Sequence, residues 1–225
     1  MTFVPPLAPF VVLAFLGAIA LIALALLAAV ISAVARRWVL LRAALAVAVV
    51  AAVAYGATLV AFSLATREKV LLPGEEKVFC EIDCHLAYAV TAARLAPSPV
   101  PGQEPDHLVV TVRTRFDERS ISSRRGDASL SPHSRIAFLV DDHGRALAPI
   151  TVTGETGARA GLAPLARPLR PGEPYLTELS FALPAQPQRC RLFVGSGDAE
   201  TRVLIGHENS ILHHKVWFAL PPVAP

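Results

Sequence analysis

The stretch from Phe10 to Ala65 decides the fold, and it reads FVVLAFLGAIALIALALLAAVISAVA (10–35), RRW (36–38) and VLLRAALAVAVVAAVAYGATLVAFSLA (39–65). Each long run is almost purely apolar and exceeds the ~20 residues that a helix needs to cross a bilayer. A signal peptide instead has an apolar segment of about 7–15 residues after a positively charged start. The flank before Phe10 carries no charge. The sequence therefore predicts a transmembrane helical hairpin over residues 1–65, with spans of about 10–35 and 39–65.

The charges beside these runs predict the orientation of the hairpin. In the first 65 positions they belong to three arginines, Arg36, Arg37 and Arg42. Cytoplasmic loops carry an excess of Lys and Arg, and a tryptophan such as Trp38 is typical of the membrane–water interface. We therefore expect the turn at 36–38 to be cytoplasmic, with both termini and residues 66–225 outside. The excess of arginine over lysine suits a bacterium with a GC-rich genome, in which this outer side of the inner membrane is the periplasm.

Composition argues against several other classes of protein. The chain has 225 residues, of which 53% are hydrophobic and 17% charged, with a mean hydropathy of +0.49 and a pI of about 9.0. Soluble domains carry roughly 25% charged residues, and disordered chains are poor in apolar ones. The net charge of +3 equals the three arginines of the hairpin, because the remaining basic residues balance the 18 acidic ones. Nucleic-acid binding needs basic residues gathered on a folded surface, so nucleic acid is not an expected partner.

Residues 66–225 alternate between apolar and polar side chains in short stretches. Such alternation, typical of half-buried strands, runs through HLVVTVRTRF (107–116) and YLTELSFALP (175–184). Turn residues at 141–144 follow the short run 136–140, and those at 171–174 precede the second stretch. Several short strands with such turns predict an all-β sandwich. The stretch 151–170, with its Gly, Pro and Arg, predicts a loop.

Three stretches carry a resemblance to a known class of domain. They are FLVDDHGRALAP (138–149), LRPGEPYLTELSFALP (169–184) and VLIGHENSILHHKVWFAL (203–220). Together they resemble a loose class of uncharacterised bacterial immunoglobulin-like domains that are tethered to membranes, over most of residues 70–220. The resemblance implies an immunoglobulin-like sandwich outside the cytoplasm, used for binding or assembly and without catalytic residues.

The order of a two-helix hairpin and a β domain is also similar to that of cytochrome oxidase subunit II, whose β-barrel holds a binuclear copper site. Cys80 and Cys84 match the spacing of that family's two cysteine ligands. Thiolate and imidazole both suit copper, and the imidazoles available belong to His85, His207, His213 and His214. The later His and Met of the family motif are missing, because Met1 is the only methionine.

The run Cys80-Glu81-Ile82-Asp83-Cys84-His85 leaves two other interpretations. With one extra residue, it resembles the c-type haem attachment motif CxxCH, in which the histidine is an axial ligand. We favour a structural role, in which a periplasmic disulfide joins Cys80 to Cys84 or links either of them to Cys190. In one extended strand the first two would lie ~13 Å apart, beyond disulfide reach, so joining them requires a turn.

These observations predict a function without catalysis. No His, Asp or Glu lies in either span, and ion paths and proton relays need such groups. We expect an accessory subunit of a bacterial membrane complex, respiratory or photosynthetic, with lipids and other membrane subunits as partners and no cofactor of its own. Two alternatives stay open: a periplasm-facing redox protein with copper or haem at Cys80, Cys84 and His85, and a membrane-anchored sensor or binding module.

Overall fold

A computed structural model describes residues 8–80, 85–96, 107–117, 126–153, 164–182 and 190–222. The chain divides into two compact units. The helical unit contains the two helices, the connection up to Arg67, and the segment Ala199–His214. The β unit contains Glu68–Asp198 and the chain from Lys215 onward. The sequence-based division at residue 65 assigns Ala199–His214 to the β domain, whereas this segment clusters with the helices.

The two predicted helices are confirmed. Helix α1 is Ala8–Val34 and helix α2 is Trp38–Leu64, and both are long and apolar enough to cross a membrane. With 27 residues each, they are about 40 Å long at 1.5 Å per residue. The turn between them is tight, since Arg36 adopts a left-handed φ of 52° and the Arg37 N–H donates to the carbonyl of Ser32 at 2.8 Å.

Small side chains, interspersed with larger ones, line the contact between α1 and α2. Residues that are at least partly buried recur every three or four positions, which is the spacing of a coiled-coil seam. They include Val11, Phe15, Ala18, Ile22, Ala25, Ala29 and Ser32 in α1, and Leu41, Ala44, Ala48, Ala51, Tyr55, Leu59 and Ser63 in α2. Alanine and serine let helix backbones approach closely. Gly17 and Gly56 do not serve this seam, because no atom lies within 4 Å of the position that a Cβ would take.

Ten strands form two five-stranded sheets in the described part of the β unit. The orders are β1-β10-β9-β5-β6 and β2-β3-β4-β8-β7. The bounds are Lys69–Leu71 (β1), Lys77–Cys80 (β2), His85–Ala96 (β3), His107–Asp117 (β4), Arg135–Val140 (β5), Ala146–Leu147 (β6), Thr151–Thr153 (β7), Pro174–Ala182 (β8), Arg191–Ser196 (β9) and Val216–Ala219 (β10). Strands β1 and β10 pair in parallel, whereas the other described pairs are antiparallel.

The predicted β-sandwich is confirmed, because apolar side chains from both sheets form one core. The inward faces expected for two strands are buried, namely Leu108, Val110, Val112 and Phe116 in β4 and Tyr175, Leu179 and Phe181 in β8. The predicted turn at 141–144 is also present, and Oδ1 of Asp141 accepts hydrogen bonds from the N–H groups of His143 and Arg145.

The stretch 151–170 is not the single loop that the sequence predicts. Thr151–Thr153 forms β7 at the edge of the second sheet, and Leu165 and Leu169 are buried in the core. The carbonyl of Leu165 accepts hydrogen bonds from the hydroxyl groups of Tyr88, at 3.1 Å, and Tyr175, at 2.8 Å. Isolated leucines among Gly, Pro and Arg have no periodicity, which is why their burial is not visible in the sequence.

A buried lysine lies where β9 and β10 separate. These strands pair through two residues each, ending at Leu192 in β9 and Phe218 in β10. Two residues beyond that last pair, the carbonyls of Val194 and Val216 accept hydrogen bonds from Nζ of Lys77, at 2.5 and 3.3 Å. Lys77 is on β2 in the opposite sheet and is 1% exposed. Its ammonium lies 4.5 Å from the ring centroid of Phe193 and 5.2 Å from that of Phe79, and such contacts stabilise a desolvated cation. Lys77 therefore links the two sheets.

Replacing Lys77 with methionine tests this link. Methionine keeps an apolar stem but removes the donor to two buried carbonyls, and a hydrogen bond to a charged group contributes about 1.5–3 kcal/mol. Allowing for partial relaxation, we expect the free energy of unfolding to fall by about 2–4 kcal/mol. The measurement is urea denaturation of the full-length chain in detergent, followed by Trp217 fluorescence with Trp38→Phe in every variant. The matched control is Lys69→Met at an exposed position of β1, and equal stability of the two variants would contradict the prediction.

Candidate functional site

The first candidate site lies at one end of the second sheet. Cross-strand pairing places Cys80 of β2 opposite His85 of β3, and His85 opposite Asp117 of β4. Strands β2 and β3 are therefore antiparallel neighbours that meet at this end of the sheet. Cys84 and the side chain of Cys80 lie outside the described residues. Of the side chains paired across these three strands, the structure describes those of His85 and Asp117.

The surroundings of His85 favour a neutral imidazole. Burial lowers the pKa of His85, and the nearby carboxylate of Asp117 opposes this shift. Arg115 lies on the same strand as Asp117, 3.6 Å from its carboxylate. Arg115 also holds both carboxylate oxygens of Glu76, through Nε at 3.0 Å and Nη2 at 2.8 Å, and this hydrogen bonding is the main cause that lowers the pKa of Glu76. The neighbouring charges are therefore engaged with one another.

The residues predicted to bind copper or haem do not all fall in one unit. His85 belongs to the β unit, whereas His207, His213 and His214 belong to the helical unit. Within the described part of the chain, no three side chains of His, Cys, Asp or Glu are grouped as metal ligands. Since the two cysteines of the motif are outside that part, a copper or haem site at Cys80, Cys84 and His85 stays a prediction.

Cys190 lies immediately before β9 and carries a free thiol. Burial raises the pKa of Cys190, and the carboxylates of Asp141 and Asp142 raise it further. A thiol that keeps its proton reacts slowly in disulfide exchange, because the thiolate is the nucleophile. The predicted disulfide, between Cys80 and Cys84 or between either of them and Cys190, stays a prediction.

The residues predicted to set the topology gather at one end of the helical unit. Arg36 and Arg37 form the turn, Trp38 is the first residue of α2, and Arg42 lies on the exposed surface of its second turn. An exposed tryptophan beside three cations is the arrangement expected at a membrane–water interface.

The second candidate site is the segment Ala199–His214, which we call the return loop because it leaves β9, joins the helical unit and then continues to β10. It begins with a short 3-10 helix, Ala199–Val203. It is bonded internally, since the Ile211 N–H donates to the carbonyl of Arg202 at 3.1 Å and the Asn209 side-chain amide donates to Thr201 Oγ1 at 3.2 Å. Compact surface loops of this kind often carry function.

The return loop is held on α2 at two levels. The hydroxyl of Tyr55 donates a 2.7 Å hydrogen bond to the carbonyl of Val203. Beyond the end of the helix, the His214 N–H donates to Oγ1 of Thr66 at 3.1 Å. Tyr55 lies nine residues before the end of α2, which is about 13 Å along the helix axis. The loop therefore covers part of the helix rather than its tip alone.

The return loop buries polar groups and exposes apolar ones. Glu208, Ser210 and His213 are buried, whereas Ile211 is 51% exposed and Leu212 is 59% exposed. Leu212 also adopts a left-handed φ of 64°, a conformation that bulky residues rarely adopt. The histidines of this loop were predicted as ligands, whereas the Ile-Leu pair between His207 and His213 was not predicted as a functional feature. Two adjacent aliphatic residues within a polar stretch were the available signal.

These features define a protein with two long apolar helices near its N-terminus and a two-sheet β-sandwich after them. No protein-family model matches the chain, and no curated protein sequence matches it. Among solved structures, the chain resembles MPT63, a secreted protein from Mycobacterium tuberculosis, with 9% sequence identity and a TM-score of 0.42, over 69% of this chain and 99% of that one. A likeness at this level says nothing about function.

Tyr55→Phe tests the attachment of the return loop. The variant removes the hydrogen bond to the Val203 carbonyl, which at about 1–1.4 kcal/mol corresponds to a roughly five- to tenfold increase in local opening. We expect amide hydrogen exchange across 199–214 to accelerate by that factor, as measured by mass spectrometry of the full-length chain in detergent. Thr58→Val is the matched control, since the Thr58 hydroxyl bonds to Ala54 in its own helix. Unchanged exchange in Tyr55→Phe would show that this bond does not hold the loop.

The lowered pKa of His85 predicts a pH dependence of stability. Because the folded chain binds this proton less tightly than the unfolded chain does, protonation favours unfolding. The free energy of unfolding should decline as the pH falls below the ordinary histidine value of 6.5, and His85→Gln should reduce that decline. Urea denaturation between pH 7.5 and pH 5 is the measurement. His143→Gln, in the exposed turn after β5, should keep the original pH dependence, and an identical profile for both variants would refute the prediction.

Proposed function

We propose that this protein is a membrane-anchored, non-catalytic accessory subunit of a bacterial membrane complex. Its helices dock in the bilayer, and its β-sandwich supports partner subunits in the periplasm. The observation that carries the proposal is the surface of the two helices. Outside the alanine-rich seam they expose large apolar side chains along their length, such as Leu24 and Val50 at 64% and 66%. Contiguous apolar surface of this extent marks contact with a membrane or a partner.

The orientation follows from the cluster of Arg36, Arg37 and Arg42 at the turn of the hairpin. Because cytoplasmic loops of membrane proteins are rich in Lys and Arg, this end is assigned to the cytoplasm. Both termini and the β unit are then periplasmic, on the outer side of the inner membrane. The immunoglobulin-like class of the sandwich and a respiratory or photosynthetic host complex belong to this proposal as predictions.

The short sheet edges favour contacts with partner subunits through side chains rather than through addition of a partner's strand to a sheet. The edge strands of the described sheets are β1, β6, β2 and β7, and they contain only two to four residues. Short edge strands are poor templates for pairing with another chain. The charged face of the second sheet, which carries Arg94 bonded to Glu178 at 3.3 Å, is the kind of surface that sets partner orientation.

Gly17 provides a candidate contact between the helices and a partner helix. The space around it is open, and small residues on a helix surface let a neighbouring helix approach closely. A leucine at this position has room in the hairpin but would block such an approach.

The test is co-purification of the tagged full-length chain from native membranes in a mild detergent. We expect defined partner subunits with the natural chain, and at least a fivefold lower yield of them with Gly17→Leu. Val50→Leu is the matched control, because it enlarges a side chain that is already large and exposed, and it should retain the partners. A natural chain that always purifies alone would refute the proposed function.

A further inference from the structure

We propose that the return loop inserts into the outer leaflet of the membrane and that Ile211 and Leu212 contact lipid there. The inference rests on the anchoring of the helices in a bilayer, which is part of the proposed function, and adds a second contact with the same membrane. The return loop comes after the first nine strands in the chain. The proposed lipid contact therefore belongs to a segment that the sequence-based division at residue 65 assigns to the β domain.

The first argument is the depth at which the loop is attached. About 20 helical residues cross the ~30 Å hydrocarbon layer. Counted from Trp38, the interfacial residue that begins α2, the far boundary of this layer falls near Thr58. Tyr55, whose hydroxyl binds the carbonyl of Val203, lies one helical turn before that boundary. The loop therefore reaches the level at which headgroups and acyl chains meet.

The second argument is the distribution of polar and apolar groups in the loop. A soluble loop turns polar side chains outward, whereas this one buries Glu208, Ser210 and His213 and exposes Ile211 and Leu212. Exposed aliphatic side chains beside buried polar ones are suited to lipid rather than to water. Leu212 is exposed although its φ of 64° is a conformation that bulky residues rarely adopt.

The third argument is that several backbone groups of the loop are hydrogen-bonded within the loop or to α2, which favours insertion near hydrocarbon. The N–H of Ile211 bonds to the carbonyl of Arg202, and the N–H of His213 bonds to the carbonyl of Ser210, both at 3.1 Å. The carbonyl of Val203 is taken by Tyr55. A protein partner would supply such bonds itself, so a self-bonded apolar tip favours lipid as the occupant.

The fourth argument is continuity with the surface assigned to lipid. The loop rests on α2, whose exposed residues near the same end include Val60 and Phe62. The apolar pair of the loop belongs to the same helical unit. Arg202 and His214 are exposed on the same loop and are placed to meet phosphate and carbonyl groups of the headgroup layer.

The experiment measures quenching of a single tryptophan by lipids brominated on their acyl chains. The full-length chain, with Trp38→Phe and Trp217→Phe, is reconstituted into phosphatidylcholine vesicles with and without bromine. We expect Leu212→Trp to lose at least half of its fluorescence in brominated lipid. Ile211→Trp provides a second probe without the left-handed backbone, and it should be quenched to a similar extent.

Two matched tryptophans separate the inference from the proposed function. Val50→Trp, in the middle of α2, reports anchoring and should be quenched strongly. Leu176 is on β8, opposite Arg113 of β4, in the charged face of the second sheet. The fluorescence of Leu176→Trp should not be quenched. If Val50→Trp is quenched but both loop probes behave like Leu176→Trp, the loop faces water or a protein and the inference is overturned. If Val50→Trp is not quenched, the anchoring and the inference both fail.

Discussion

Close packing of small side chains between α1 and α2 determines what the rest of the molecule must accommodate. Residues such as Ala25, Ala29 and Ala48 let the two backbones approach closely, and most of the large apolar side chains point outward. The exposed surface favours an apolar environment for nearly the whole length of both helices. The sandwich follows the two helices in the chain, and the return loop brings one further segment back to them.

Periodic signals made the framework of the fold predictable. Two apolar runs of more than 25 residues and the alternation along β4 and β8 repeat the same information at many positions, and the structure confirms the helices and the sandwich. Lys77 was invisible to this approach, because its partners Val194 and Val216 lie far away in the sequence and leave no local pattern. The same reason hid the core positions of Leu165 and Leu169: the carbonyl of Leu165 binds the hydroxyl of Tyr88, and Leu169 pairs with Leu130, both far away in the sequence.

The candidate sites were predictable by residue type but not by role. His207 and His213 stood out in the sequence as metal-binding types, and that role stays a prediction. In the return loop, Nδ1 of His207 accepts a hydrogen bond from the N–H of Asn209, a contact that residue type alone does not reveal. The exposure of Ile211 and Leu212 depends on how the loop rests on α2, which no short-range pattern encodes. At the other site, the sequence identified His85, but its pairing with Asp117 follows from the register of the consecutive strands β3 and β4, which residue type does not reveal.

The parallel pairing of β1 with β10 has a consequence for biogenesis. Strand β1 emerges directly after the second helix, whereas its partner residues follow about 150 positions later. Contacts of such long range form slowly, so the backbone groups of β1 that face β10 stay unpaired until residues 216–219 have been synthesised. Unpaired strand edges invite association with other chains. The period between synthesis of β1 and arrival of β10 is therefore when the nascent chain is most exposed to aggregation.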